Sequence, residues 1–439
     1  MAIRPDLLPA TRGTPTRTLR TAFVGTYPPR QCGIATFTRD LATAVAQDLG
    51  GPDRAATWSK PTPIGRQGAT ADIVAIDYED RPFPAEVRYR LHPDRPADYL
   101  AAADRLNRVG YDVVSLQHEF GIYGGRDGER VLDLIDELAV PVVATLHTVL
   151  RHPSDHQRRV LHEVARGAAR VVVLSRASAR SLSSVYDVDP ARIQMIPHGV
   201  PDLPFVDPDS AKPLVGLGHR PVILSFGLLG PGKGYELAIR AMSSVIDLAG
   251  DACYVILGAT HPELRRKQGE AYRESLQGLV ADLGLEQHVR FVDAFVDSPT
   301  LGRWLQAADV FVTPYPGAEQ AVSGTLAYAL GTGKALVSTP YAYAEELLAD
   351  GRGRLVPFGD SKALGSEIGD LLTHPAARNE ARRLAYAYGR RMTWRHVGAE
   401  YRELFGRVVA EAALPVRAAR ALVLRGLRAD RDREASSLG

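Results

Sequence analysis

Four short stretches of the 439-residue chain gather residue types able to hold an anion or a sugar. In "AEQAVSGTLAYALGTGKALVSTPY", residues 318–341, Glu319 precedes a helical run that opens on Ser323, Gly324, Thr325 and Leu326 and carries no charge until Lys334. The unpaired N–H groups of such a first turn suit a phosphate or a sugar hydroxyl, although an ordinary capped core helix would read the same way. In "FGLLGPGKGYELAIRAM" Lys233 lies in a Gly-rich loop between an apolar run and a helical one. That loop lacks Walker A spacing, because no Ser or Thr follows the Lys and the required upstream Gly is missing. "LQHEFGIYGG" sets His118 ahead of glycines that admit a ligand closely, and "TYPPRQCG" ends on Gly33, where a tight loop meets a helix N-terminus. Of 53 basic residues only six are Lys, so a Lys inside a Gly-rich loop stands out from an Arg-biased background. His147 and His261 also end apolar runs and are expected to be structural, hydrogen-bonded residues.

These residues all directly follow short β-branched runs, and the runs define the scaffold. Residues 21–26, 72–76, 112–117, 141–147, 170–175 and 192–197 are near-continuous apolar strands separated by helical periodicity. Buried strands that alternate with helices mean a parallel sheet covered on both faces. The pattern halts at 198–220, where Pro and Gly cluster, and restarts with strands at 221–227, 253–258, 288–293, 309–314, 335–339 and 353–358. Two successive doubly wound α/β units follow from that reset. In such sheets ligands bind beyond the carboxyl ends of the strands, so the His-bearing edge of one unit is expected to face the Lys, amides and carboxylate of the other.

Composition narrows the function classes. The length suits two domains, and a 45% hydrophobic, 24% charged chain is globular. Net charge is +2 without a dominant basic block, so nucleic acid is not an expected partner. Cys32 and Cys253 stand alone and far apart, which indicates neither a disulfide framework nor a Cys-based metal site and points to the cytosol. The first twenty residues lack the apolar centre of a signal peptide, and no apolar run is long enough to span a membrane. Near the other end, "LPVRAARALVLRGLRADRDRE" alternates Arg with Leu and Val, as expected of either a basic amphipathic helix at an anionic membrane face or a solvated tail.

The ordered motifs "TYPPRQCGIATFTRDLA", "LQHEFG", "IPHGV", "FGLLGPGKGYELAIRA", "YPGAEQAVSGTLAYALGTGKALVST" and "GRGRLVPFGD" resemble glycosyltransferase family 4, the retaining enzymes of GT-B architecture. The resemblance runs from about Thr21 to Gly406. It implies two Rossmann-like domains with a donor sugar in the cleft between them. The boundaries expected are a disordered tail (1–20), an N-terminal acceptor domain (21–203), a linker (204–220), a C-terminal donor-binding domain (221–391), a C-terminal helix (392–412) and a basic amphipathic tail (413–439). By the same resemblance Lys233 neutralises donor phosphate and Glu319 lies against the transferred sugar. The amides of Ser323, Gly324, Thr325 and Leu326 cradle the diphosphate, Gly33 approaches it from the other domain, and His118 contacts the sugar near the reacting centre.

Implied partners are a nucleotide sugar such as GDP-mannose or UDP-glucose, as donor substrate and not as cofactor, and a saccharide or lipid-linked acceptor, with no metal requirement. The location implied is cytoplasmic, with peripheral contact at the inner membrane face through the tail. Two positions depart from the family pattern. Leu228 stands where an Arg usually follows the strand-ending Gly227, and Ala327 stands where a second Glu would grip the ribose. Each loss would remove about 1.5 to 3 kcal/mol from the nucleotide half of the donor. A phosphorylase-like or sugar-monophosphate enzyme, and a catalytically silent carbohydrate-binding protein, are the alternatives those departures raise. Glu345 and Glu346 could reach the cleft, but a solvent-facing helix is the expectation there. Acceptor choice is expected in the loops 51–70 and 78–96.

Overall fold

The computed structural model describes residues 19–46 and 71–413. Residues 1–18, residues 47–70 with the whole 51–70 loop, and the basic stretch beyond 413 lie outside the described residues, and with them the membrane-facing helix expected at the C-terminus. Two all-parallel sheets account for the strand pattern. The first contains β1 (Thr21–Gly25), β2 (Ala71–Ile76), β3 (Val87–Leu91), β4 (Val113–His118), β5 (Val142–Leu146), β6 (Arg170–Val173) and β7 (Ile193–Met195), in the order β3-β2-β1-β4-β5-β6-β7. The second contains β8 (Val222–Phe226), β9 (Cys253–Leu257), β10 (Val289–Val292), β11 (Val310–Thr313), β12 (Ala335–Ser338) and β13 (Arg354–Leu355), in the order β10-β9-β8-β11-β12-β13.

Both sheets reverse their winding beside their first strand, between β1 and β4 and between β8 and β11. Neighbouring helices start there in opposite directions, which opens a crevice at the carboxyl ends of those strands. The strands are apolar on both faces because helices cover both: every residue of β1, β4, β5, β9, β11 and β12 is buried. β3 differs. Its exposed Arg88 and Arg90 alternate with Val87, Tyr89 and Leu91, the period-two signature of an edge strand. Sequence reading, tuned to continuous apolar runs, passed over it.

The stretch between the sheets is not featureless. It carries a helical turn, Pro208–Ala211, and a tighter one, Lys212–Val215, and the buried Lys212 ammonium pairs with buried Asp309 at 2.9 Å, which ties it to the second domain. The last helix, 394–413, crosses back to the first domain. Val397, Tyr401, Leu404, Phe405 and Val408 join Phe23 and Phe37 in one buried cluster, and the Tyr401 hydroxyl bonds Thr145 at 2.9 Å. The two domains therefore share a core element as well as a linker.

Candidate active site

The candidate site residues fall at the carboxyl ends of the four strands that flank the two switch points. Gly33 follows β1 and His118 ends β4 in the first domain; Lys233 follows β8, and Glu319 with Ser323 to Leu326 follows β11 in the second. On the second domain the loops are locked together by glycine. Gly234 has φ +72, and a Cβ there would fall 1.8 Å from the Pro314 carbonyl oxygen, so the loop after β8 lies flush against the loop after β11. That contact carries Lys233 to Tyr315, where Nζ sits 4.7 Å over the ring, and the Tyr315 hydroxyl lies 3.2 Å from both Ser323 Oγ and Thr325 Oγ1. Lys233, Ser323 and Thr325 are thus brought to one place, through a tyrosine that sequence reading did not single out.

Ser323 is the N-cap of the helix Gly324–Gly331, and its Oγ accepts from the Leu326 N–H at 3.3 Å. A four-residue amide cradle narrows accordingly: Leu326 is satisfied internally, and the first-turn N–H groups of Gly324 and Thr325 are the ones left for a ligand. Gly324 is required here, because a Cβ would meet His198 Nε2 of the first domain at 2.9 Å. His198, from the "IPHGV" motif, packs edge-on against Phe37 and Tyr328, and burial lowers its pKa to about 4.

Glu319 is half exposed and extends toward the first domain, with Oε1 3.8 Å from His152 Nε2. His118 is the opposite case. It is wholly buried beside Phe120 and Tyr123, and neither ring nitrogen has a hydrogen-bond partner. Burial lowers its pKa to about 4, so the ring is neutral at pH 7. Gly33 is exposed at the start of the helix Gly33–Ala46, and nothing lies within 4 Å of where its Cβ would be. His147 behaves as a structural residue, bonded through Nε2 to Gln117 at 3.0 Å, and His261 caps the helix Pro262–Gln268 by accepting from the Glu263 N–H. Burial pushes the His261 pKa down; nearby Glu263 acts against that shift, and Lys233 and Arg30 add to it.

The expectation of a solvent-facing Glu346 is corrected. Its Oε2 accepts from the Arg176 N–H at 2.9 Å, at the N-terminus of the first-domain helix Arg176–Tyr186, whose orphan donors a carboxylate satisfies; Glu345 is exposed as expected. A second bridge joins Tyr328 to Asp40 at 3.2 Å, with Arg39 paired to Asp40 at 2.7 Å and reaching Ser298 at 3.2 Å. Ala327, at the position of the missing ribose carboxylate, is fully buried in the second-domain core. Among the described residues no group of three or more His, Cys, Asp or Glu is placed to hold a metal ion, and no helix is long and apolar enough to cross a membrane.

Comparison with known proteins matches residues 33–202 to Glycosyltransferase Family 4 and residues 220–374 to Glycosyl transferases group 1. The chain belongs to glycosyltransferase family 4. A GDP-mannose-dependent alpha-(1-6)-phosphatidylinositol monomannoside mannosyltransferase of Mycolicibacterium smegmatis is 30% identical over 228 residues, which is 50% of this chain and 56% of that protein. A D-inositol 3-phosphate glycosyltransferase of Nocardioides is 26% identical over 343 residues, 70% of each chain. The Anabaena protein HepE, solved in complex with UDP, superposes with a TM-score of 0.66 at 16% identity, over 89% of this chain and 100% of that one. The family 4 chain therefore has the GT-B fold, with its two switch points as the walls of the cleft.

Proposed function

We propose that the protein is a retaining hexosyltransferase that moves mannose or glucose from a nucleotide diphosphate sugar to a saccharide or lipid-linked acceptor. The observation that carries the reading is the convergence, through Tyr315, of Lys233 with Ser323 and Thr325 at the start of the helix Gly324–Gly331, with Glu319 on the same loop after β11. The names of the mannosyl and inositol phosphate relatives, and the UDP complex of the Anabaena protein, support an activated-sugar donor.

In this reading the first turn of the helix Gly324–Gly331 and the Lys233 ammonium take the charge that develops on the departing diphosphate. The leaving phosphate oxygen accepts the proton of the incoming hydroxyl on the face it vacates, so the protein supplies orientation and charge stabilisation, and no side chain acts as general base. Glu319 positions the hexose through its hydroxyls. His118 is neutral and both its ring nitrogens are buried without a protein partner, so it meets the sugar only where the loop after β4 opens to admit it, and a ligand bond there would remove the cost of leaving both unpaired. The apolar environment of Ala327 favours a second reading, in which a hexose 1-phosphate is the donor, because no carboxylate marks a ribose site there.

Calorimetric titration with GDP-mannose, UDP-glucose, ADP-glucose and the matching hexose 1-phosphates, repeated on Lys233→Ala, tests this reading. Micromolar binding of one nucleotide sugar, weakened about tenfold or more by Lys233→Ala, is expected. Binding of a hexose 1-phosphate alone would transfer the assignment to the second reading, and binding of nothing would leave a catalytically silent protein.

A further inference from the structure

A cavity of about 190 Å³ lies at the carboxyl ends of β2 and β3, lined by Asp77, Tyr78, Asp80, Arg90, His92 and Arg95 among others. It is on the same edge of the first sheet as Gly33 and His118. Two strand spacings, from β4 across β1 to β2, set it about 10 Å from His118. The cavity adjoins the interdomain cleft. The Arg30 guanidinium, from the loop after β1, sits 5.4 Å over the Tyr78 ring, and Glu263 of the second domain lies near enough to act on the Tyr78 hydroxyl.

Its chemistry is polar, with more carboxylates than arginines in the lining. Arg81 pairs with Asp77 and, at 2.8 Å, with Glu79, while Arg90 pairs with Asp80 at 3.1 Å. The paired guanidinium and carboxylate groups present hydrogen-bond donors and acceptors side by side, and the carboxylates Asp77, Glu79, Asp80 and Asp98 outnumber the arginines. Such a lining repels a phosphate, its carboxylates are not grouped to hold a metal ion among the described residues, and its side-by-side donors and acceptors match the vicinal hydroxyls of a sugar. The Tyr78 ring, 40% exposed, supplies a flat apolar face for the C–H side of a pyranose. A second observation points to a ligand: the Asp77 side chain is 1% exposed, one oxygen bonds Arg81, and the other, Oδ2, has no hydrogen-bond partner. A buried carboxylate oxygen left unbonded is costly unless something brings a donor to it.

We propose that this cavity binds a neutral sugar residue of the acceptor, one unit behind the hydroxyl that receives the hexose. The acceptor terminus then fills the interval between the cavity and His118, and the preferred acceptor has at least two sugar units. The inference rests on the transferase reading and extends it by giving the acceptor a class and a minimum length.

The test is saccharide binding by saturation-transfer NMR to the full-length protein, with methyl α-mannoside, mannobiose, mannotriose, glucose, maltose and maltotriose as probes. Disaccharide or trisaccharide of one series is expected to bind about tenfold tighter than its monosaccharide, a difference near 1.4 kcal/mol. Tyr78→Ala and Arg95→Ala should each erase most of that gain while leaving nucleotide-sugar binding unchanged; the second variant, at an exposed position, keeps the test open if the first does not fold. Equal binding of all lengths, absence of binding by every probe, or a length gain that survives both variants would overturn the subsite. Loss of nucleotide-sugar binding in the parent protein would instead strike the transferase reading, since length-dependent saccharide binding is read without any donor present.

Discussion

At the residue scale burial treats the two candidate sugar-side residues, Glu319 and His118, differently. The Glu319 carboxylate is solvated and held only loosely, 3.8 Å from His152, so it is free to take up sugar hydroxyls, whereas His118 is sealed and its charge state fixed. Glu319→Gln keeps the shape and removes the charge-assisted bonds to the sugar. We expect kcat to fall about 100-fold with nucleotide binding unchanged, the pattern of a group that acts on the reacting sugar and not on the nucleotide. A rise in KM for the donor with kcat intact would assign Glu319 to ground-state binding instead. In the proposed reading Lys233 serves the other half of the donor, and the Tyr315 ring 4.7 Å beneath its ammonium orients it for that.

Elements decide where those residues stand, and much of that was legible in sequence. Twelve apolar runs were enough to give two parallel sheets, since each is continuous and bounded by turn residues, and the candidate site residues were chosen because they are the ones that follow the runs. What escaped depends on tertiary contact. Tyr315 reads as one more aromatic until the loops close around it, and Glu346 reads as solvent-facing because its partner is a backbone N–H 170 positions away. β3 escaped because it is an edge strand. Gly234 shows how an element fixes the site: its positive φ and the Pro314 carbonyl leave no room for a side chain. Gly234→Ala should therefore cost about 2 kcal/mol or more of stability and weaken donor binding along with it, as measured by urea denaturation and calorimetry. Beneath the same sheet Lys334 is 1% exposed, donates to the Gln306 carbonyl at 3.2 Å, and burial lowers its pKa to about 7. The unfolded chain holds that proton up to a higher pH, so the buried ammonium opposes folding below pH 7. Lys334→Met should stabilise by about 1 to 3 kcal/mol at pH 6 and by less at pH 9. A destabilised variant at pH 6 would mean that the Gln306 bond outweighs the buried charge.

At the scale of the whole molecule the two domains meet along a seam of imidazoles and aromatic rings, and that seam makes folding depend on pH. Phe37 packs against His147 at 4.7 Å and His198 at 5.1 Å, and His198 covers the start of the second-domain helix Gly324–Gly331. Burial lowers the pKa of His118 and His198 to about 4 and that of His147 to about 3, the last helped by the other two rings. All three folded values lie below the ordinary 6.5 of histidine, so the unfolded chain takes up protons that the folded one refuses. The stability they contribute is complete above pH 6.5 and is lost as pH falls toward 4, at about 1.4 kcal/mol per pH unit for each ring. Two facing carboxyls act in the opposite sense. Burial raises the pKa of Asp40, which bonds Tyr328 across the seam, and of Glu119, which bonds Thr148, and each eases as pH falls toward its own range. With three rings against two carboxyls, urea denaturation should show a net loss of about 3 kcal/mol or more between pH 7.5 and 5.0. His198→Gln should flatten that slope by about the share of one ring, because the amide keeps a polar group against the Gly199 carbonyl without a proton to gain. A stability that holds level from pH 7.5 to 5.0 would mean that water reaches the seam and that the domains part there in solution.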